Sequence, residues 1–222
     1  MVSGAGVADR TRVSSWTARR WSHIGTAATA SGWLFFLLCQ VVSGDYLPPA
    51  VSMSQYGLGP WGFLFSLWML SMAVAAGALY LAGPGRNRLV ATVFGVSIAG
   101  LVVTALVRTD SDGAQHSWHA HLHLIGSVLA LAAIPLGILL ITRHFGRPGN
   151  VVAVVLVLGV ELSLVLLLLA AAGVDTTGAG AVSAWAFWQS VAVGCEMILL
   201  VLWAALVRRS RVRGTTGSRR AG

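Results

Sequence analysis

The chain has 222 residues, of which 56% are hydrophobic and only 10% charged. A water-soluble domain of this size could not cover its surface with so few charges, so the composition places the chain in a bilayer. The net charge of +8 does not point to nucleic acid: most arginines lie in short segments between long apolar runs, where they orient helices rather than build a phosphate-tracking patch.

In chain order, residues 1–23 form a basic, polar N-terminal tail, with Trp16 and Trp21 spaced to sit at headgroup level. The first apolar run, Ala27 to Val42, lacks a small-x-small cleavage pattern and is read as an uncleaved first helix. Five further runs follow at Pro60 to Ala82, Leu89 to Val107, Leu122 to Thr142, Val151 to Ala172 and Ala184 to Val207. Each is close to the roughly twenty residues that cross a hydrocarbon core at about 1.5 Å per residue. They are apolar nearly all round, and none alternates as a barrel strand would. The expected fold is all-α: a six-helix transmembrane domain over 24–207, followed by a basic, disordered tail over 208–222. Cys39 and Cys195 both fall inside apolar runs, so neither a disulfide framework nor a zinc cysteine cluster is available.

Charge orients this bundle. Fourteen of the fifteen arginines lie in the two tails and in the second and fourth connections; the other side holds Arg108 with Asp45, Asp110, Asp112 and Asp175. The positive-inside rule puts both termini in the cytoplasm of a cell whose plasma membrane, a bacterial inner membrane, carries the chain. The cytoplasmic connections are tight turns, whereas Ser43 to Gly59 and Arg108 to His121 are longer, and long loops on one side of a scaffold are where function concentrates. The loop from Asp45 to Trp61, with its aromatics, prolines and glycines, is expected to fold against the helix ends and cap a cavity.

Four of the six histidines lie between His116 and His123. If helix four begins near Gln115, its 100° step puts His116, His119 and His123 on one face, where with upstream carboxylates they could hold zinc or copper. Bis-histidine haem is disfavoured, because His23 and His144 are expected a membrane thickness away. Glu161 and Glu196 fall midway along helices five and six with no arginine at their depth. Such acids are protonated, hydrogen-bonded or face a wet cavity, and are candidates for handling substrate or protons; Ser163, Gln189 and Ser190 are the expected bonding partners. Ser52 and Ser54 are weaker candidates for a nucleophile near the histidines, without a nucleophile-elbow pattern.

The stretch Tyr46-Leu47-Pro48-Pro49-Ala50-Val51-Ser52 to Gly59-Pro60-Trp61, and Arg108-Thr109-Asp110 through Trp118-His119 to His123-Leu124, resemble a prokaryotic membrane family catalogued as domain of unknown function 998. The resemblance spans residues 25–208 and implies six helices, with a recurring Asp after helix three and a recurring His opening helix four. Those correspond here to Asp110 and to His119 or His123. Relatives often carry a charged pair where this chain has Gln189-Ser190, and the family brings no established activity with it.

Three functions are therefore open. The first is a non-catalytic membrane component, meaning a sensor, assembly partner or accessory subunit, in contact with the lipid bilayer and with a second copy or another membrane protein. The second is an intramembrane enzyme acting on a lipid or isoprenoid at the outer leaflet, with Asp110, His119 and His123 as catalytic residues. The third is a small proton-coupled transporter using Glu161 and Glu196.

Overall fold

The computed structural model describes residues 5–44, 51–84, 87–110, 116–142 and 147–218, and places side chains in these segments except at 5–15, 147–149 and 211–218. Asp45, the Tyr46 to Ala50 stretch, Arg86, Asp112, Arg143, His144, Arg219 and Arg220 lie outside the described residues.

The chain forms α1 (Ala5–Ser43), α2 (Gly62–Ala82), α3 (Arg88–Leu106), α4 (Trp118–Thr142), α5 (Arg147–Ala171) and α6 (Ala181–Ser218), with a short 3-10 helix at Met53–Gly57. All six α-helices contain a stretch long and apolar enough to cross a membrane, from 19 residues in α3 to 30 in α6. This is the make-up of a multi-pass membrane protein. The four inner helices begin and end within a few residues of the apolar runs, with α4 and α5 each starting four residues ahead, at Trp118 and Arg147. The two terminal helices do not. Helix α1 starts far ahead of Ala27, and α6 continues to Ser218 where a disordered tail was expected. The apolar pattern marks where lipid ends, but arginine is a good helix former and lets the backbone run on.

Each helix packs on its neighbour in sequence, and α6 closes the ring by contacting α1; it also reaches α2 and α4. The α1–α2, α3–α4 and α5–α6 connections share one end of the bundle, here the loop end. The termini and the other two connections form the terminal end. Helices α1 and α5 are the most peripheral, and α5 turns Val155, Leu158, Leu162 and Val165 outward.

Lipid tails are as apolar as leucine, so burial against a neighbouring helix gains little by transfer; close van der Waals contact holds such a bundle together. Helices α3 and α4 approach closely: a Cβ on Gly100 would lie 2.5 Å from the carbonyl oxygen of Gly126. Gly95, on the same helix, faces open space instead. Toward the terminal end the core is aromatic and tightly filled: Trp203 stacks on Phe94 with centroids 4.8 Å apart, and Tyr80 lies against the same ring. A Cβ on Gly137 would meet that Phe94 ring at 2.8 Å. Toward the loop end the core is polar and incompletely filled.

Candidate functional site

The loop-end site is assembled from the α3–α4 connection, the start of α2 and the segment carrying the 3-10 helix. Its first determinant is the start of α4. Asp110 accepts the backbone N–H groups of His116 and Ser117, each at 2.9 Å, and the Ser117 hydroxyl at 2.6 Å. Ser117 in turn accepts the N–H of Ala120 at 3.1 Å, which makes it the N-cap and starts the helix at Trp118. The Ser117 hydroxyl, then the Ser117 and His116 N–H groups and the nearby His119, hold the Asp110 carboxyl below its ordinary range.

That start decides where the histidines go. His116 precedes the helix and is exposed; His119 is exposed and sits edge-on against the Trp118 ring. His121 is exposed, its Nδ1–H donating to the Ser117 carbonyl. His123 alone is buried, at 3% exposure. Among the described residues no three His, Cys, Asp or Glu side chains are grouped closely enough to hold a metal ion. The expected one-face arrangement of His116, His119 and His123 is therefore not formed. It required a helix running back to Gln115, and the Asp110–Ser117 cap starts α4 later.

His123 bonds through Nδ1 to the carbonyl of Val107, the residue that ends α3. A carbonyl can only accept, so Nδ1 carries the hydrogen and Nε2 of the neutral ring presents a lone pair. That Nε2 is buried and has no hydrogen-bond partner among the described residues. The imidazole stacks on Phe65 and lines a cavity of about 260 Å³ together with Ser54, Ser66, Thr104 and Arg108. Phe63 and Leu106 also line this cavity and are 53% and 69% exposed, which places its rim on the bundle perimeter between α2 and α3.

The 3-10 helix roofs the cavity. Met53 and Tyr56 are buried, and Gln189 on α6 latches the segment from below. Its Oε1 accepts the Met53 N–H at 2.8 Å, and its Nε2 donates to Ser54 Oγ at 3.0 Å. Gln40 on α1 adds a bond to the Tyr56 hydroxyl. Gly62 allows the roof to seat, since a Cβ there would lie 2.3 Å from the Gly57 carbonyl oxygen.

Below the cavity is a second void of about 30 Å³, room for roughly one water. It shares Ser54, Phe65 and Thr104 with the upper cavity and is lined on its far side by Glu196. Glu196 is 2% exposed, and its Oε1 has no hydrogen-bond partner among the described residues. Two of the three expected partners are engaged elsewhere: Gln189 holds the roof, and the Ser190 hydroxyl donates to the Ala186 carbonyl; the third, Ser163, is buried but does not bond to that oxygen. Glu161 on α5 is half-buried. The Thr104 and Ser127 hydroxyls bond to each other at 3.2 Å beside the void.

Of the residues picked out in sequence, His123 thus belongs to the upper cavity and Glu196 to the void beneath it. Asp110 is a helix cap outside both, and His119 and Glu161 line neither. Sequence reasoning missed Arg108 and the Gln189 latch. Arg108 was visible as the lone arginine on its side. The latch joins residues 136 positions apart and has no local signature.

Residues 26–206 match the family of proteins of unknown function DUF998. The chain belongs to that family. No curated protein and no solved structure matches it. Within this DUF998 chain, the Asp after α3 and one His of α4 are both placed by a single connection: Asp110 caps α4, and His123 ties α4 to the end of α3.

Proposed function

We propose that this DUF998 chain is a non-catalytic component of the plasma membrane, a sensor or accessory subunit, that takes a ligand into the loop-end cavity from the extracytoplasmic side. The arginine distribution supports the orientation, with both termini cytoplasmic. One observation carries the binding reading: the His123 imidazole, fixed in one tautomer by Val107, lines the cavity, and its buried Nε2 has no hydrogen-bond partner among the described residues. A buried acceptor left unpaired costs about 1–3 kcal/mol, which a ligand donor would recover.

Three features favour binding over catalysis. Asp110 is used up in capping, Ser54 is oriented by Gln189, and Ser54 makes no bond to His123 Nε2. The test is extraction of small molecules from the full chain purified in mild detergent. Near-stoichiometric compound, lost in Ala105→Phe, which fills the cavity, is the expected result. Conversion of that compound to a new product, abolished by Ser54→Ala, would overturn the non-catalytic reading.

A proton-coupled reading is favoured by one observation, the void lined by Glu196 that shares Ser54, Phe65 and Thr104 with the cavity. It requires Glu196→Gln to abolish proton-driven uptake in proteoliposomes while Ala105→Phe leaves the fold intact. The non-catalytic reading expects no proton flux in either protein.

A further inference from the structure

The cavity's chemistry narrows what it takes, and this step rests on the binding reading above. At about 260 Å³ it falls below the roughly 300–1,000 Å³ of pockets that enclose a whole small-molecule ligand. Only part of a larger molecule fits, and the remainder must leave through the rim. That rim is apolar and open: Phe63 and Leu106, each more than half exposed, stand on the bundle perimeter, the surface that the membrane reading turns toward lipid. An alkyl chain leaving there needs no further enclosure by protein.

Two polar groups address the part that stays inside. Arg108 is exposed at the rim and forms no ion pair with a carboxylate among the described residues; Asp110, the nearest acid in sequence, is committed to His116 and Ser117. Arg108 is also the one arginine on the side that the positive-inside rule would keep free of them, so its position calls for a local reason. A guanidinium at headgroup depth recognises phosphate or carboxylate through paired N–H donors. Deeper in, His123 lines the cavity, and its buried Nε2, without a partner among the described residues, is an acceptor that calls for an O–H or N–H.

We propose that the cavity binds the head group of an anionic, hydroxyl-bearing amphiphile. The anion sits on Arg108, the hydroxyl donates to His123 Nε2, and the chain leaves between Phe63 and Leu106. A glycerophospholipid with a free glycerol head meets all three requirements. A soluble phosphate ester of glycerol meets the first two only.

The test is native mass spectrometry of the full chain in detergent, titrated with four probes: dioleoylphosphatidylglycerol, dioleoylphosphatidic acid, dioleoylphosphatidylcholine and glycerol 3-phosphate. The proposal expects phosphatidylglycerol to bind best and phosphatidic acid, which lacks the glycerol hydroxyls, to bind more weakly. Phosphatidylcholine and the soluble ester should bind least. Arg108→Gln should weaken phosphatidylglycerol about tenfold, the scale of one charge-assisted hydrogen bond, with elution profile and Tm unchanged. Arg108→Lys should restore part of the loss, and Ala105→Phe should remove binding altogether.

Equal binding of phosphatidylcholine, or no effect of Arg108→Gln, overturns the anionic assignment; glycerol 3-phosphate binding as well as the lipid overturns the amphiphile. In either case sensitivity to Ala105→Phe leaves the cavity reading standing. Lipid binding that is indifferent to Ala105→Phe removes both.

Discussion

The two halves of the bundle are built on opposite principles from similar helices. The terminal half is filled: Trp203, Phe94 and Tyr80 stack in series, and Gly137 leaves room for a ring that no larger residue would admit. The loop half spends its interior on His123, Gln189, Ser54, Thr104 and Glu196, and leaves one cavity and one smaller void among them. In a bilayer, cohesion comes from contact rather than from escape from water, so unfilled volume is a direct loss of stability. The sealed half holds the bundle together, and the loop half gives up some of that cohesion for access.

Four substitutions can break or sharpen this contrast. The largest effect is expected from Trp203→Ala, a 1% exposed ring in the sealed half. Removing it should cost about 3 kcal/mol, the lower range for large-to-small aromatic truncations, since the transfer contribution is reduced in lipid. Unfolding in mixed micelles measures it, and ligand binding to the surviving folded protein should be unchanged. Gln189→Leu should cost less, about 1–3 kcal/mol, by leaving the buried Met53 N–H unpaired. Its specific signature is faster hydrogen exchange over 53–57 as the roof loosens.

Ala105→Phe should shift stability by less than about 1.5 kcal/mol in either direction, because the ring enters existing space, yet it should abolish ligand retention. A large loss of stability there would mean that the cavity cannot accept added volume.

The smallest effect concerns Asp110. Its carboxyl titrates lower in the fold than in the unfolded chain, so its contribution is complete above the ordinary value of 3.8 and is lost as pH falls through the lower folded value. Asp110→Asn should flatten that acid limb of a Tm-versus-pH curve and lower Tm slightly at neutral pH.

The six spans were legible because each apolar run is long enough to cross hydrocarbon, and length with composition decides that without tertiary knowledge. The reach of α1 and α6 beyond those runs was not, since hydropathy reports the solvent and not the backbone. The site was half legible. His123 was one of three histidines picked from the cluster, and Glu196 one of two carboxyls noted deep in apolar helices. Which histidine is buried, however, depends on where α4 starts, and that is set by Asp110 reaching across to Ser117. The unpaired Nε2 depends on Val107, sixteen residues away. Tertiary contacts of this kind leave no mark on local spacing.

The central claim is that the loop half is open from outside the cell while the terminal half is sealed. In a Cys39→Ser, Cys195→Ser background, single cysteines at Ala105 and Ala204 report on the two halves in whole cells treated with a membrane-impermeant maleimide. The account predicts labelling of Ala105→Cys without permeabilisation, reduced by cavity-filling ligand, and no labelling of Ala204→Cys. Labelling of Ala105→Cys only after the membrane is broken, or equal labelling of both positions, would contradict it.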